Sequence, residues 1–334
     1  MTVAKSIDKK SLLQTLAAGL QSLLGTLAFI LTSLGSLLFV EPFPFRKVSA
    51  GALKPKSCKH LCIFSHFDKH NLIDNYVVRL LQELHACGCE IIFVSTCKRL
   101  RPNEIKKIEA YCTRIAIRRN YGKDFGSYKF GLKLAGGLEG YELVLLVNDS
   151  VYGPLYPLQP VFEFGQKGSF DFWGITDSWQ THFHLQAYFL AFKKNVFLSK
   201  SFKRFWNRVR CIPMRGLIVK HYELGLTKFF LRKSYRAGAW CDYMAVTQRF
   251  LKQSEGIEPS QEPQTFEFIL KKIPVNPCSH LWYFLIAEFK CPFIKRDLLI
   301  VNPDEVDLGH WPTLLEKCSD YDRNLILAHL KRIV

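Results

Sequence analysis

From Ser11 to Val40 the chain carries no charged residue, and Leu13, Leu16, Leu20, Leu23, Leu27, Ile30, Leu34 and Leu37 recur at alternating steps of three and four. That spacing lines one face of a helix. The opposite face holds small or uncharged residues, among them Gln14, Gly19, Ser22, Gly25, Thr32 and Ser36. A helix of this length reaches about 45 Å, more than the roughly 30 Å of a bilayer core. Two membrane modes fit: a helix that spans the bilayer, or one lying in the interface with its bulky face buried. The stretch is too long for a cleaved signal peptide and no small-residue cleavage site follows it. Pro42 and Pro44 end the helix, because proline can neither donate nor accommodate the preceding turn. Residues 1–57 are therefore expected to be a membrane helix and a linker.

Beyond the linker the pattern changes to short apolar runs separated by helical periodicity. His60–Phe64, Glu90–Ser95, Arg114–Ile117 and Glu142–Val147 read as buried strands. Leu72–Ala86, 103–112 and Tyr128–Leu134 read as helices between them, the first stopped by Gly88 in the manner of a glycine C-cap. Strands are also expected at Asp171–Ile175 and Ala187–Phe192, helices at Ser201–Val209 and Glu223–Lys233, and a loop at Ser254–Gln264. Alternation of this kind predicts an α/β fold: a mostly parallel, Rossmann-type sheet with helices on both faces. Residues 58–253 would form this domain, and 254–334 a mostly helical accessory region on the acceptor side. Ligands of such sheets bind at the carboxyl ends of the strands, where His66, Asp68, Ser95, Thr96, Asn148 and Asp149 fall.

The formal charge of +17 suits nucleic acid, anionic lipid or a phosphorylated substrate. The cations form only short clusters, and no RNA- or DNA-binding module is recognisable, so nucleic acid is not expected as a partner. Eleven cysteines occur without a CxxC pair. Close pairs of that kind mark zinc sites, so these cysteines read as reduced thiols of a cytosolic protein. Flanking cations, Lys9 and Lys10 before the helix and Arg46, Lys47, Lys54 and Lys56 after it, place the domain at the cytoplasmic face of the membrane.

Several blocks resemble the rhamnan synthesis protein F family of glycosyltransferases: HFDKHNLIDNYVVRLLQEL from His66, RRNYGKDFGSYKFGL from Arg118, LLVNDSVYGPLYPL from Leu145, DFWGITDS from Asp171, YELGLTKFFL from Tyr222, and NPCSHLWYFLI with PFIKRDLL between Asn276 and Leu299. The resemblance covers roughly residues 60–303 and leaves the N-terminal helix outside. It implies a GT-A-like fold and transfer of a sugar, rhamnose or a relative, from a nucleotide donor such as dTDP-rhamnose. The acceptor would be a growing surface polysaccharide, lipopolysaccharide or lipid-linked glycan. A catalytically inactive scaffold of a polysaccharide assembly complex is the alternative.

Asn148-Asp149-Ser150 follows a buried strand where GT-A enzymes carry a DxD motif for a divalent ion. Here only Asp149 is acidic, so either Mg²⁺ or Mn²⁺ is held by Asp149 and neighbouring neutral oxygens, or basic residues neutralise the diphosphate. Asn148 after a strand also suits an Asx-turn. In the preceding loop Gly122 and Gly126 permit close backbone approach, and Asp124 is placed on ribose or sugar hydroxyls. Arg119, Asn120 and Lys129 complete the expected donor contacts, with Arg118 and Lys123 as further candidates for phosphate. His66-x-Asp68-x-His70 has the spacing of metal ligands, but the resemblance places Asp68 near the nucleobase instead. An inverting transfer needs a carboxylate base. Glu223, ahead of a helix, is the first candidate and Asp177 the second.

Overall fold

The computed structural model describes residues 45–254 and 263–333, with short helical pieces at 19–21, 23–27 and 30–31. In those pieces Leu20, Leu23, Leu24, Leu27, Ile30 and Leu31 are all exposed. The remainder of the expected N-terminal helix, and residues 255–262 of the loop expected at Ser254–Gln264, lie outside the described residues; the two ends of that loop are helical, in Tyr243–Ser254 and Pro263–Leu270. Among the described residues no helix is long and apolar enough to cross a membrane.

Strands β1 (Phe45–Ala50), β2 (His60–His66), β3 (Cys89–Ser95), β4 (Cys112–Arg118), β5 (Leu143–Asn148), β7 (Phe172–Ser178), β8 (His184–Leu185), β9 (Phe189–Lys193) and β10 (Ala237–Cys241) form one sheet, ordered β1-β4-β3-β2-β5-β9-β7-β10 with β8 against β7. The heart, β4-β3-β2-β5, is parallel. Strand β9 then enters antiparallel between β5 and β7, and β10 runs parallel to β7. Every residue of β2, β3 and β5 is buried, as strands covered on both faces require.

Alternation along β2 divides the core in two, because successive side chains leave opposite faces of a strand. Cys62 and Phe64 join one hydrophobic cluster, with Tyr76, Val77, Leu80, Leu81 and Leu84 of helix α1 (Asn75–Ala86). Leu61 and Ile63 join the other, with Phe125 and Tyr128 of α2 (Lys123–Leu134) and the aromatic residues of α4 (Lys200–Arg208) and α5 (Leu224–Leu231). Helix α3 (Gln159–Lys167) covers β7 on the first face. A Cβ added at Gly131 of α2 would lie 2.2 Å from the Ile63 side chain, so glycine there sets how closely α2 lies on the sheet.

The expected α/β architecture with a large central sheet and helices on both faces is the fold observed. A further segment behaves differently from its sequence expectation. Residues 45–50, expected in a linker, form the edge strand β1, pairing antiparallel with β4. In the C-terminal region, strand β11 (Ile294–Lys295) pairs with β6 (Val151–Tyr152) directly after the Asn148-Asp149-Ser150 turn. Trp282, Leu285, Trp311, Leu314 and Ile326 share the first core cluster with α1. Helices α6 (Tyr243–Ser254), α7 (Trp311–Cys318) and α8 (Asn324–Ile333) are among the helices of this C-terminal part of the chain.

Candidate active site

The carboxyl ends of β2, β3 and β5 lie side by side, with Ser65 opposite Asn148 and His66 opposite Ser95. The backbone beyond β5 is strapped to the end of β2: Asp149 N donates to Ser65 O at 3.2 Å, and Phe67 N donates to Asp149 Oδ2 at 3.2 Å. Asn148 Oδ1 accepts from Ser150 N (3.0 Å) and Ser150 Oγ (2.6 Å), the Asx-turn foreseen for this segment. Asn148 and Ser150 thus spend their oxygens on each other.

Arg296 closes this turn. Its Nη1 donates to Asp149 O at 2.8 Å and lies 3.4 Å from Asp149 Oδ2, its backbone N donates to Ser150 O, and its guanidinium sits over the Tyr76 ring. Tyr76 Oη donates to the same Asp149 carbonyl. Burial pushes the Asp149 carboxyl up to about 6 even though Arg296 opposes the rise. His66, also buried, is held down at about 4 and is neutral at pH 7. Nothing in the isolated residue Arg296 marked it out. The signal was its place in the PFIKRDLL block, whose role only the β6–β11 pairing discloses.

Asp124 stands in the first turn of α2. Ser65 Oγ donates to its Oδ1 at 2.8 Å. Burial, helped by the charges of Asp149 and Glu223 and opposed by the Ser65 bond, raises its pKa to about 6. Glu223 is half-buried at the end of a π-helical turn, Val219–Glu223, that runs into α5. Its Oε1 accepts from Ala187 N at 3.5 Å; burial lowers the pKa of His184, and the Glu223 charge partly opposes that. Tyr222 beside it packs on Phe125 of α2, which brings the two acids' elements together. Turns of this wide kind recur at functional sites because they break the regular ladder. Asp149 and Glu223, from two further elements, therefore each lie within electrostatic reach of Asp124.

Other candidates fall elsewhere. Asp177 is wholly buried, and its Oδ1 accepts from Tyr243 N at 2.7 Å, so it caps α6. Burial lifts its pKa to about 7. Lys129 Nζ donates to Val209 O at 2.6 Å, beyond the last turn of α4. Arg119 is exposed and Asn120 half-buried on the loop after β4. Arg118, a candidate for phosphate, is buried instead: its guanidinium donates to Tyr121 O and to Ser127 Oγ and stacks on Phe130. Gly126 makes room for it, since a Cβ there would lie 2.7 Å from Arg118 Nη2; Gly122, at φ +75°, would put one 2.9 Å from Cys211 Cα. The glycines shape the loop from within.

Asp68 accepts from His70 N and Leu72 N, and Arg332 Nη2 of α8 reaches both its Oδ2 (2.6 Å) and Asp74 Oδ2 (2.5 Å). Arg332 holds the Asp68 carboxyl below its ordinary range against the effect of burial. Asp68, Asp74 and His329 have ligand atoms within 4.8 Å of one another, but the guanidinium already supplies the charge a cation would bring. The same holds at Asp149. With Arg296 on its carboxylate and Asn148 and Ser150 mutually bonded, the donor set does not fit a divalent ion without displacing Arg296.

A parallel α/β heart with carboxylates and an arginine gathered at its carboxyl rim is the layout of a ligand-binding α/β protein. The model of the family described as rhamnan synthesis protein F matches residues 91–334, and the chain belongs to that family. The chain is 32% identical over 202 residues to virulence protein VirA of Vibrio anguillarum, covering 58% of this chain and 64% of that one. It is 26% identical over 182 residues to protein y4gN of Sinorhizobium fredii, covering 53% and 47%. The chain thus spans less than two thirds of the curated relatives it matches. Among solved structures, the mannosyltransferase PcManGT of Pyrobaculum calidifontis, in complex with GDP-Man and Mn²⁺, aligns over 65% of this chain and 64% of its own at 12% identity and TM-score 0.35. The mannosyltransferase Ktr4p of S. cerevisiae, in complex with GDP, aligns over 58% and 72% at 9% identity and TM-score 0.29. Alignments at this level decide neither fold nor chemistry.

Proposed function

We propose that the chain is an inverting glycosyltransferase that moves a sugar, rhamnose or a relative, from a nucleoside-diphosphate donor to a surface polysaccharide or lipid-linked glycan. It would work at the cytoplasmic face of the membrane. The observation that carries this reading is that Asp149, paired with Arg296, and Glu223 both stand within electrostatic reach of Asp124 at the carboxyl ends of the strands. In the step proposed, the acceptor hydroxyl oxygen attacks the anomeric carbon, Glu223 takes its proton, and the glycosyl–phosphate C–O bond breaks with its electron pair leaving on the diphosphate. Arg296 supplies the positive charge that meets the leaving group, and Asp124 accepts from sugar or ribose hydroxyls. Asp177 is the alternative base. Its pKa near 7 would suit the task, but its place as the cap of α6 favours Glu223.

The test is turnover of a panel of nucleoside-diphosphate sugars, read as nucleotide release and as the anomeric configuration of the product. Glu223→Gln should lower transfer by about a hundredfold or more with donor affinity little changed, and Asp149→Ala should abolish it. Full activity in both variants would end the assignment. The inactive-scaffold reading draws on the closed Arg296–Asp149 pair, and nucleotide binding without turnover of any donor would favour it.

A further inference from the structure

Strand β1 runs antiparallel to β4, so its first residue, Phe45, pairs with Arg118 at the carboxyl end of that strand. The chain therefore arrives from residues 1–44 at the same rim that carries the candidate active site. Beside this entry point lie two adjoining grooves of about 500 and about 440 Å³, sharing Arg99 and Pro102. Arg46, Lys47, Lys98, Arg99, Arg101 and Lys106 line them, contributed by β1, the turn after β3 and the helical turn that follows. All six are exposed, and none forms an ion pair among the described residues. Against them the grooves hold one exposed carboxylate, Glu109; Glu104 nearby is buried and paired with Lys107.

Cations gathered from three stretches of sequence and left unpaired on one rim form a field that a compact anion alone does not require. What adjoins them selects the partner. The uncharged stretch Ser11–Val40 ends five residues before β1, and in its described pieces Leu20, Leu23, Leu27 and Ile30 are exposed. An apolar insertion lying in the interface is strengthened by a polybasic patch beside it. We propose that this basic double groove docks on the headgroups of anionic phospholipids, so that the carboxyl rim of the sheet faces the bilayer and a lipid-linked acceptor reaches it from the membrane side. This rests on the membrane attachment put forward above and adds to it the surface and the lipid class.

The test uses the full chain and vesicles of phosphatidylcholine alone or with phosphatidylglycerol. The wild type should favour the anionic vesicles by roughly a hundredfold in partition at 0.1 M salt, and lose most of that preference at 1 M, where screening is nearly complete. The variant Lys47→Glu, Lys98→Glu, Arg101→Glu, Lys106→Glu should bind both vesicles alike. A control reversing Lys200, Lys203, Arg204 and Arg208 on the exposed face of α4 changes net charge equally and should keep the preference. Where partition onto both vesicles is complete, amide exchange gives the same reading: 98–106 should be protected on anionic vesicles only. Equal loss in the control, or a groove variant that keeps its lipid preference, would overturn the proposal. So would a groove variant that loses binding to a single-stranded oligonucleotide but not to anionic vesicles. Loss of binding to neutral vesicles as well would instead implicate the apolar segment and its reading.

Discussion

Replacing Arg296 by methionine keeps the side chain's apolar stem and removes its charge and its donors, so the consequence can be worked from the contacts. Asp149 titrates at about 6 with the guanidinium beside it. Its folded pKa is raised above the unfolded value, so its ionisation costs stability as pH rises through about 4 to 6. Without Arg296 the folded pKa moves higher still, and the carboxyl escapes by taking a proton. At pH 7, one unit above the present value, that escape caps the electrostatic loss at about 1.4 kcal/mol. The bond to Asp149 O at 2.8 Å, which has a charged donor, adds about 1.5–3 kcal/mol, and the stack over Tyr76 about 0.5–1. The total at pH 7 is roughly 3–5 kcal/mol. At pH 5 Asp149 is already protonated in both proteins, and the penalty should shrink by about 1.4 kcal/mol. Denaturant titrations at the two pH values measure this directly, with Arg296→Lys as the variant that keeps the charge. A penalty independent of pH would refute the pairing. If Arg296 also meets the diphosphate, nucleoside-diphosphate affinity measured by calorimetry should fall at least about tenfold in Arg296→Met and less in Arg296→Lys.

Asp177→Asn keeps an oxygen for Tyr243 N and removes a buried charge that titrates at about 7. The wild type should lose stability as pH rises from about 4 to 7, and the variant should not, leaving it more stable at pH 8 by up to about 4 kcal/mol with donor turnover retained; lost turnover would make Asp177 the base. Gly126→Ala sets a Cβ 2.5 Å from Tyr121 O and should cost roughly 1–3 kcal/mol in thermal unfolding, whereas an unchanged Tm would show that the loop gives way freely. Arg332→Ala leaves Asp68 and Asp74 without their shared cation. Amide exchange in Asn324–Ile333 should rise, and the stability loss, roughly 3 kcal/mol at pH 7, should shrink as pH falls below the carboxylate range; unaltered exchange would show that apolar packing alone seats α8.

The central strands β2, β3 and β5 were legible because a strand covered on both faces has to be an unbroken apolar run, and the helices between them because α1 repeats its leucines at helical spacing. The acids at the strand ends were legible for the same reason: an Asp directly after such a run can only stand on the rim. Their roles were not. In sequence Glu223 leads Asp177 only narrowly, and only packing puts Asp177 under the start of α6 and Glu223 within reach of Asp124. Arg118 looked available for phosphate, yet a glycine four residues into the loop's helix lets the backbone close over it. Strand β1 hid in a linker because an edge strand needs one partner and little burial. Arg296 and Arg332 lie 147 and 264 residues from Asp149 and Asp68, and no local pattern encodes a pairing across such distances. Sequence periodicity fixes what is buried locally; which charges meet is decided when β11 pairs with β6 and α8 packs on α1, because burial of those segments leaves each carboxylate with one cation in reach.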